Sequence, residues 1–236
     1  MPDRTGYGVT YVPAVRLTKD GSTALVIVDM QRTVASAGEG FALAMETLHP
    51  GIGTERQKRI EDTVIPTIQQ LLAHFRAEGL PVIYTIVGSR HRDYRDLPPQ
   101  FRGSHRRLEE LSGVEDTLWL GSDAAAIREE IAPLEDEIVI EKRSFGAFSS
   151  SPIDQILRAM SVRTLLFTGV GTSACVESTA REAADRGYDC VLVDQGMAAY
   201  SSDAHDATLR TFHVNFGRIV RSAADVIQAL EREATV

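Results

Sequence analysis

Cysteine is nearly absent from this chain: Cys175 and Cys190 are the only two in 236 residues. Two thiols exclude a disulfide-stapled secreted scaffold and fit a reducing compartment, so a cytoplasmic site of action is expected. Excess positive charge is absent as well. The balance is −8, which removes the electrostatic footprint of a nucleic-acid or membrane-surface partner. No apolar run approaches the roughly 18 residues of a membrane span. The opening Met1-Pro2-Asp3-Arg4-Thr5-Gly6 lacks a basic stretch before an apolar core, so no secretion signal is expected. Internal repeats, low-complexity tracts and an interdomain linker are also missing. The remaining composition, 43% hydrophobic and 25% charged, is ordinary for a globular chain. Its length suits one large α/β domain.

The apolar patterning supplies the order of elements. Thr23-Ala24-Leu25-Val26-Ile27-Val28 is near-continuously apolar, as in a strand buried on both faces of a parallel sheet. Residues 33–55 read as a glycine-containing loop with a short helix. Ile60, Val64, Ile68, Leu71, Leu72 and Phe75 recur at helical spacing, and Gly79 ends that helix. Residues 81–87 form the next strand, completing a right-handed βαβ unit. Residues 88–122 are polar and rich in Arg, His, Pro and Gly. They read as a long loop segment near the site, with short helical pieces. Thereafter helices over 124–131, 152–160, 176–186, 203–216 and 222–233 alternate with strands over 137–140, 162–168, 189–193 and 218–220. Residues 1–20 form an N-terminal arm. The alternation predicts a single Rossmann-like, three-layer α/β domain over 1–236, with a mostly parallel sheet flanked by helices on both faces.

Sites in such folds form beyond the carboxyl ends of strands. Three reactive side chains fall at those ends: Asp29 after Val28, Lys142 after Ile140-Glu141, and Cys175 after the glycine-rich bend Gly169-Val170-Gly171. Cys175 opens a helical stretch, where the macrodipole and free N–H groups favour a thiolate. The same N–H groups, at Gly171 and Cys175, can hold an oxyanion. Asp29 can take the thiol proton and pass it to a leaving amine, and Lys142 can stabilise both anions. Each residue alone has an ordinary reading: a buried thiol, a turn-capping aspartate, a solvated lysine. Three complementary groups at three strand ends are much less frequent by chance than any one. The third glycine of the dinucleotide fingerprint is missing after Gly169-Val170-Gly171, which argues against a nucleotide enzyme.

Val28-Asp29-Met30-Gln31, then Lys142-Arg143-Ser144-Phe145-Gly146-Ala147-Phe148, then Gly169 to Arg181 resemble the three signature blocks of the isochorismatase-like cysteine hydrolases. The resemblance spans about residues 22–220. It implies a Rossmann-like domain, an Asp29–Lys142–Cys175 triad, a cis peptide at Val170–Gly171, and a homo-oligomer, dimer or tetramer. The nicotinamidase members of that family carry an Asp-x-His metal motif. Residues 87–96 here hold one His without matching spacing, so no metal and no cofactor are expected. True isochorismatases, which cleave a vinyl ether, typically lack the cysteine. Cys175 therefore points to C–N cleavage of a small amide, ureide or N-carbamoyl substrate. A vinyl-ether hydrolase using Asp29 as acid and a non-catalytic scaffold are the alternatives. Phe145 and Phe148 are candidate pocket walls, and Arg90, with His91 and Arg92, a candidate carboxylate holder. Gln31 and Gln195 are candidate amide-recognition groups, and Tyr200 a candidate at the entrance. Cys190 reads as inert core, and His205 and His213 as helix residues.

Overall fold

The computed structural model describes residues 6–236. Strands β1 (Thr23–Val28), β2 (Val82–Val87), β3 (Ile138–Lys142), β4 (Thr164–Val170), β5 (Asp189–Ala198) and β6 (Arg218–Val220) form one sheet. Every neighbouring pair is parallel, in the order β3-β2-β1-β4-β5-β6. This is the doubly wound order, in which the chain reverses its direction of travel between β1 and β4. The helices are α1 (Arg32–Ala35), α2 (Gly40–Leu48), α3 (Thr54–Arg59), α4 (Ile65–Ala77), α5 (Pro99–Ser112), α6 (Ile153–Ala159), α7 (Glu177–Asp185), α8 (Ser202–Asn215) and α9 (Ala223–Arg232).

Period-two alternation divides β1 between two cores. Leu25 and Ile27 pack with Ile68, Leu71 and Phe75 of α4 and with Val226 and Leu230 of α9. Ala24, Val26 and Val28 face Leu157 of α6, Ala180 and Ala183 of α7, and Leu209 and Phe212 of α8. All six residues of β1 are buried, as its unbroken apolar run requires. Deleting one of these large side chains, as in Phe75→Ala, removes about 3–5 kcal/mol. At the far edge, Ser222 and Asp225 form a reciprocal capping box that starts α9. Residues of the expected N-terminal arm reach the C-terminus there: Val15 N–H donates to Val236 O at 3.2 Å. Residues 1–5 of that arm lie outside the described residues.

The loops hold more helix than the apolar pattern predicts. Residues 33–55 carry α1 to α3. Residues 88–122 carry α5, a helix of 14 residues. Its buried residues are Phe101 and His105, too few for a visible amphipathic stripe. The punctuation was nevertheless present: Pro99 sits at the helix start, and Gly113 ends it with φ of 72°. The expected helix over 124–131 is instead two single 3₁₀ turns, Asp123–Ala125 and Glu129–Ile131. Among the described residues no helix is long and apolar enough to cross a membrane.

Candidate active site

The site begins at the seam between β1 and β4, where Val28 pairs with Gly169. Gly169 has φ of 108°, and a Cβ built there would lie 2.0 Å from Val28 O. Only glycine lets the two backbones approach this closely. Gly171, two residues on, has an ordinary φ of −91°. The peptide bond between Val170 and Gly171 is cis.

Asp29 leaves β1 in the left-handed region, with φ of 51°. Aspartate tolerates that region better than most residues, and it turns the carboxylate over the sheet end. Asp29 N–H donates to Thr85 O at 3.0 Å, and Thr85 Oγ1 donates to Asp29 Oδ1 at 2.8 Å. Both atoms of Thr85, on β2, thereby fix the orientation of the acid.

Lys142 reaches Asp29 from two strands away. The three strand ends are not mutual neighbours, because β2 lies between β1 and β3. Two strand spacings are about 10 Å. A short side chain would stop above β2, whereas the four-carbon stem of lysine crosses it. Lys142 Nζ pairs with Asp29 Oδ2 at 2.8 Å, the side chains being 0% and 1% exposed. It also donates to Ser144 O at 2.8 Å and Phe145 O at 3.0 Å. Burial works against its charge, but the facing Asp29 and Cys175 prevail and raise its pKa.

Cys175 sits in a wide π-helical turn, Thr172–Val176, that leads into α7. Gly171 O closes the turn, accepting from Ala174 N–H at 3.0 Å and Val176 N–H at 3.2 Å. The thiol lies within hydrogen-bonding reach of both Asp29 and Lys142. Burial pushes its pKa up to about 12; Asp29 adds to the rise and Lys142 opposes it. Burial therefore works against the thiolate that a helix N-terminus alone favours. Burial outweighs the dipole here. Cys190 is 1% exposed within β5, its thiol also pushed up by burial.

A buried relay supports the turn from behind. His205 of α8 hydrogen-bonds Thr172 Oγ1 through Nδ1 at 2.8 Å and Asp194 Oδ1 through Nε2 at 2.9 Å. Arg59 donates to the same Asp194 oxygen at 2.9 Å and to Met197 O at 2.7 Å. The sequence reading took His205 as a plain helix residue; its partners lie 33 and 11 positions away, beyond the reach of local pattern.

Asp29, Gly171 and Cys175 line a cavity of about 260 Å³. That is slightly below the range of about 300–1,000 Å³ usual for ligand pockets. Val34, Phe41, Phe101 and Phe145 give it an apolar wall, and Arg56, His105, Ser173, Tyr200 and Ser201 join Asp29 among its polar residues. Phe145 and Tyr200 are among the residues that line the cavity. The other candidate contacts do not line it. Phe148 packs against the Tyr188 ring at 5.7 Å, inside the second core. Gln31 is fully buried and spans to β2: it donates to Val87 O at 3.2 Å and accepts from Val87 N–H at 2.7 Å. Arg90 lies exposed and pairs with Glu141 at 2.7 Å. Gln195 is placed toward β6, its N–H donating to Arg221 O at 3.0 Å. A position just after a strand puts a residue near the rim, but side-chain direction decides what it faces. Arg56 and His105 lie in charged, polar runs outside any apolar periodicity, so the sequence gives no local signal for their burial. Among the described residues no three His, Cys, Asp or Glu side chains gather where they could hold a metal.

Comparison with known proteins accords with this geometry. Residues 23–225 match the family model of the Isochorismatase domain. The ureidoacrylate amidohydrolase RutB of Stutzerimonas stutzeri is 32% identical over 208 residues, covering 84% of this chain and 79% of that protein. The protein of the same name from Cronobacter sakazakii is 32% identical over 226 residues, covering 90% of this chain and 92% of that one. Among solved structures, a cysteine hydrolase from Pseudomonas syringae pv. phaseolicola superposes with a TM-score of 0.75 at 23% identity. That match covers 95% of this chain and all of the other, and it bears on the fold alone.

Proposed function

Because the chain belongs to the isochorismatase domain family, we propose that it is a cysteine-dependent hydrolase cleaving a C–N bond of a small amide, ureide or N-carbamoyl compound. One observation carries this reading: Cys175 lies in reach of a buried Asp29–Lys142 pair at the edge of a closed-in cavity. Relatives named as amidohydrolases at 32% identity support it.

The reaction divides the work among these residues. As Cys175 Sγ bonds to the carbonyl carbon, Asp29 accepts the thiol proton. Attack and deprotonation go together, because a thiol held near pKa 12 supplies almost no free thiolate at neutral pH. Lys142, its pKa raised by the facing Asp29 and Cys175, stays charged throughout and is paired with Asp29 before the transfer. The oxyanion that forms is held by the N–H groups of Gly171 and Cys175. Asp29 then gives its proton to the leaving nitrogen as the C–N bond breaks, leaving an acyl or carbamoyl thioester. Water attacks the thioester, Asp29 takes its proton, and the returning proton restores the thiol. No cofactor enters any step. The same reading includes a homo-oligomer acting in the cytoplasm, supported by the family resemblance and by two free buried cysteines.

The test is ammonia release from a panel of small amides, ureides and N-carbamoyl amino acids, with wild type and Cys175→Ala. Release that disappears in the variant is expected. Release that persists in Cys175→Ala refutes the cysteine mechanism. Inertness toward the whole panel together with turnover of isochorismate would establish the vinyl-ether alternative.

A further inference from the structure

Arg56 is a cation without a counter-ion. It sits on α3, is 5% exposed, and lines the same cavity as Cys175. No carboxylate among the described residues lies within ion-pair distance of it. Its Nε is buried with no hydrogen-bond partner. The acids near this wall are already occupied: Glu46, beside Tyr200, accepts the N–H groups of Gly51 and Gly53, and Asp29, which lines the cavity, is paired with Lys142. What Arg56 does contact is the face of Tyr200, with the guanidinium carbon 4.5 Å from the ring centroid. That stacking holds the planar fork in one orientation. Two further buried polar atoms around the cavity also lack partners, Tyr200 Oη and His105 Nδ1.

A buried, unpaired guanidinium is costly, and native structures rarely keep one without something to bind. Three residues of one largely apolar cavity each leave a polar atom without a partner, which suits a receptor for a polar group. The charge of Arg56 and its five-donor fork select a carboxylate. His105 does not compete as a cation, because burial lowers its pKa to about 4 and it is neutral at working pH. The rest of the lining is largely aromatic and aliphatic, which suits a ligand with an apolar or planar part.

We propose that Arg56, stacked on Tyr200, binds a carboxylate of the substrate, so that this site takes a small acid whose amide or ureide group lies within reach of Cys175. The proposal rests on the hydrolase reading above and adds the charge of the substrate and the residue that recognises it. It replaces Arg90, whose guanidinium is spent on Glu141 at the surface.

The experiment compares a short ureido acid with its own methyl ester, in wild type, Arg56→Met and Arg56→Lys. Wild type is expected to favour the acid by at least about 100-fold in kcat/KM, the scale of a charge-assisted pair of hydrogen bonds. Arg56→Met should collapse that ratio toward one, mainly through KM for the acid, and Arg56→Lys should restore part of it. A purely structural arginine predicts otherwise: both substrates suffer alike and the ratio is unchanged, which overturns the proposal. A wild-type preference for the ester overturns it equally. Folding supplies an independent readout. Removing an unpaired buried charge should leave Tm unchanged or higher in Arg56→Met, whereas a fall would mean that the protein itself satisfies Arg56. The two readings fail separately. Thermal stabilisation of Cys175→Ala by the ureido acid, lost in Cys175→Ala/Arg56→Met, establishes the anion site even where wild type releases no ammonia. Ammonia release without acid selectivity keeps the hydrolase and sinks the anion site.

Discussion

Asp29→Asn tests the electrostatic account of the site most directly. The substitution conserves volume and keeps an oxygen for Thr85, but it removes the negative partner of Lys142, a side chain with no exposure. Breaking a buried pair by deleting one member costs about 3–5 kcal/mol, because the other charge stays buried without compensation. Here the ammonium keeps two acceptors, Ser144 O at 2.8 Å and Phe145 O at 3.0 Å. That places the loss at the low end, about 3 kcal/mol. For a chain of this size each kcal/mol moves Tm by about 2–4 °C, so a drop of about 6–12 °C is expected. Turnover should fall by about 10²–10⁴, the range for a lost acid–base group. The decisive comparison is Asp29→Asn/Lys142→Met. Replacing the stranded ammonium with an apolar side chain of similar length should restore most of the lost stability and none of the activity. Thermal unfolding by circular dichroism at neutral pH, alongside kcat/KM, reads both. The reasoning is refuted if Asp29→Asn melts within about 2 °C of wild type, or if Lys142→Met fails to rescue it.

Two further outcomes follow from the same charges. With its pKa near 12, Cys175 should react with iodoacetamide about 10³-fold more slowly at pH 7 than an ordinary thiol. The rate should climb about tenfold per pH unit through pH 9, and a plateau below about pH 8 would show that a stable thiolate exists at rest. Asp194 is the clearest acid-stability group. Burial disfavours its charge, but His205, Tyr7 and Arg59 prevail and lower its pKa from 3.8 to about 2. Between those pH values the unfolded chain binds the proton and the folded one does not. The stabilisation, about 2 kcal/mol, is therefore complete above about pH 4 and lost as pH falls through 2. Asp194→Asn should lower stability at neutral pH by that amount and flatten the acid limb of the unfolding curve; an unchanged limb would exclude Asp194 as its source.

Much of this protein was legible along the chain. All six residues of β1 are buried and five of them are apolar, because parallel strands are covered on both faces, and a run of that kind is visible without a structure. Asp29, Lys142 and Cys175 could be named because each follows such a strand, and a doubly wound sheet gathers strand ends at one edge. Net charge and thiol count could also be read directly, because neither depends on folding. Tertiary structure decided what a side chain faces and what it is deprived of. Gln31 and Tyr200 both follow strands, yet one is tied to the backbone of Val87 and the other lines the cavity. The thiol of Cys175 was read as ionised from its helix, and enclosure reversed that balance. Arg56 looks like one more solvated cation in Thr54-Glu55-Arg56-Gln57-Lys58-Arg59. Only packing shows that it alone of these charged residues is buried, over Tyr200 and without a counter-ion. Strand and helix arise from local periodicity and can be read in order; the dielectric around a charge and the partners left to it are set by residues distant in sequence.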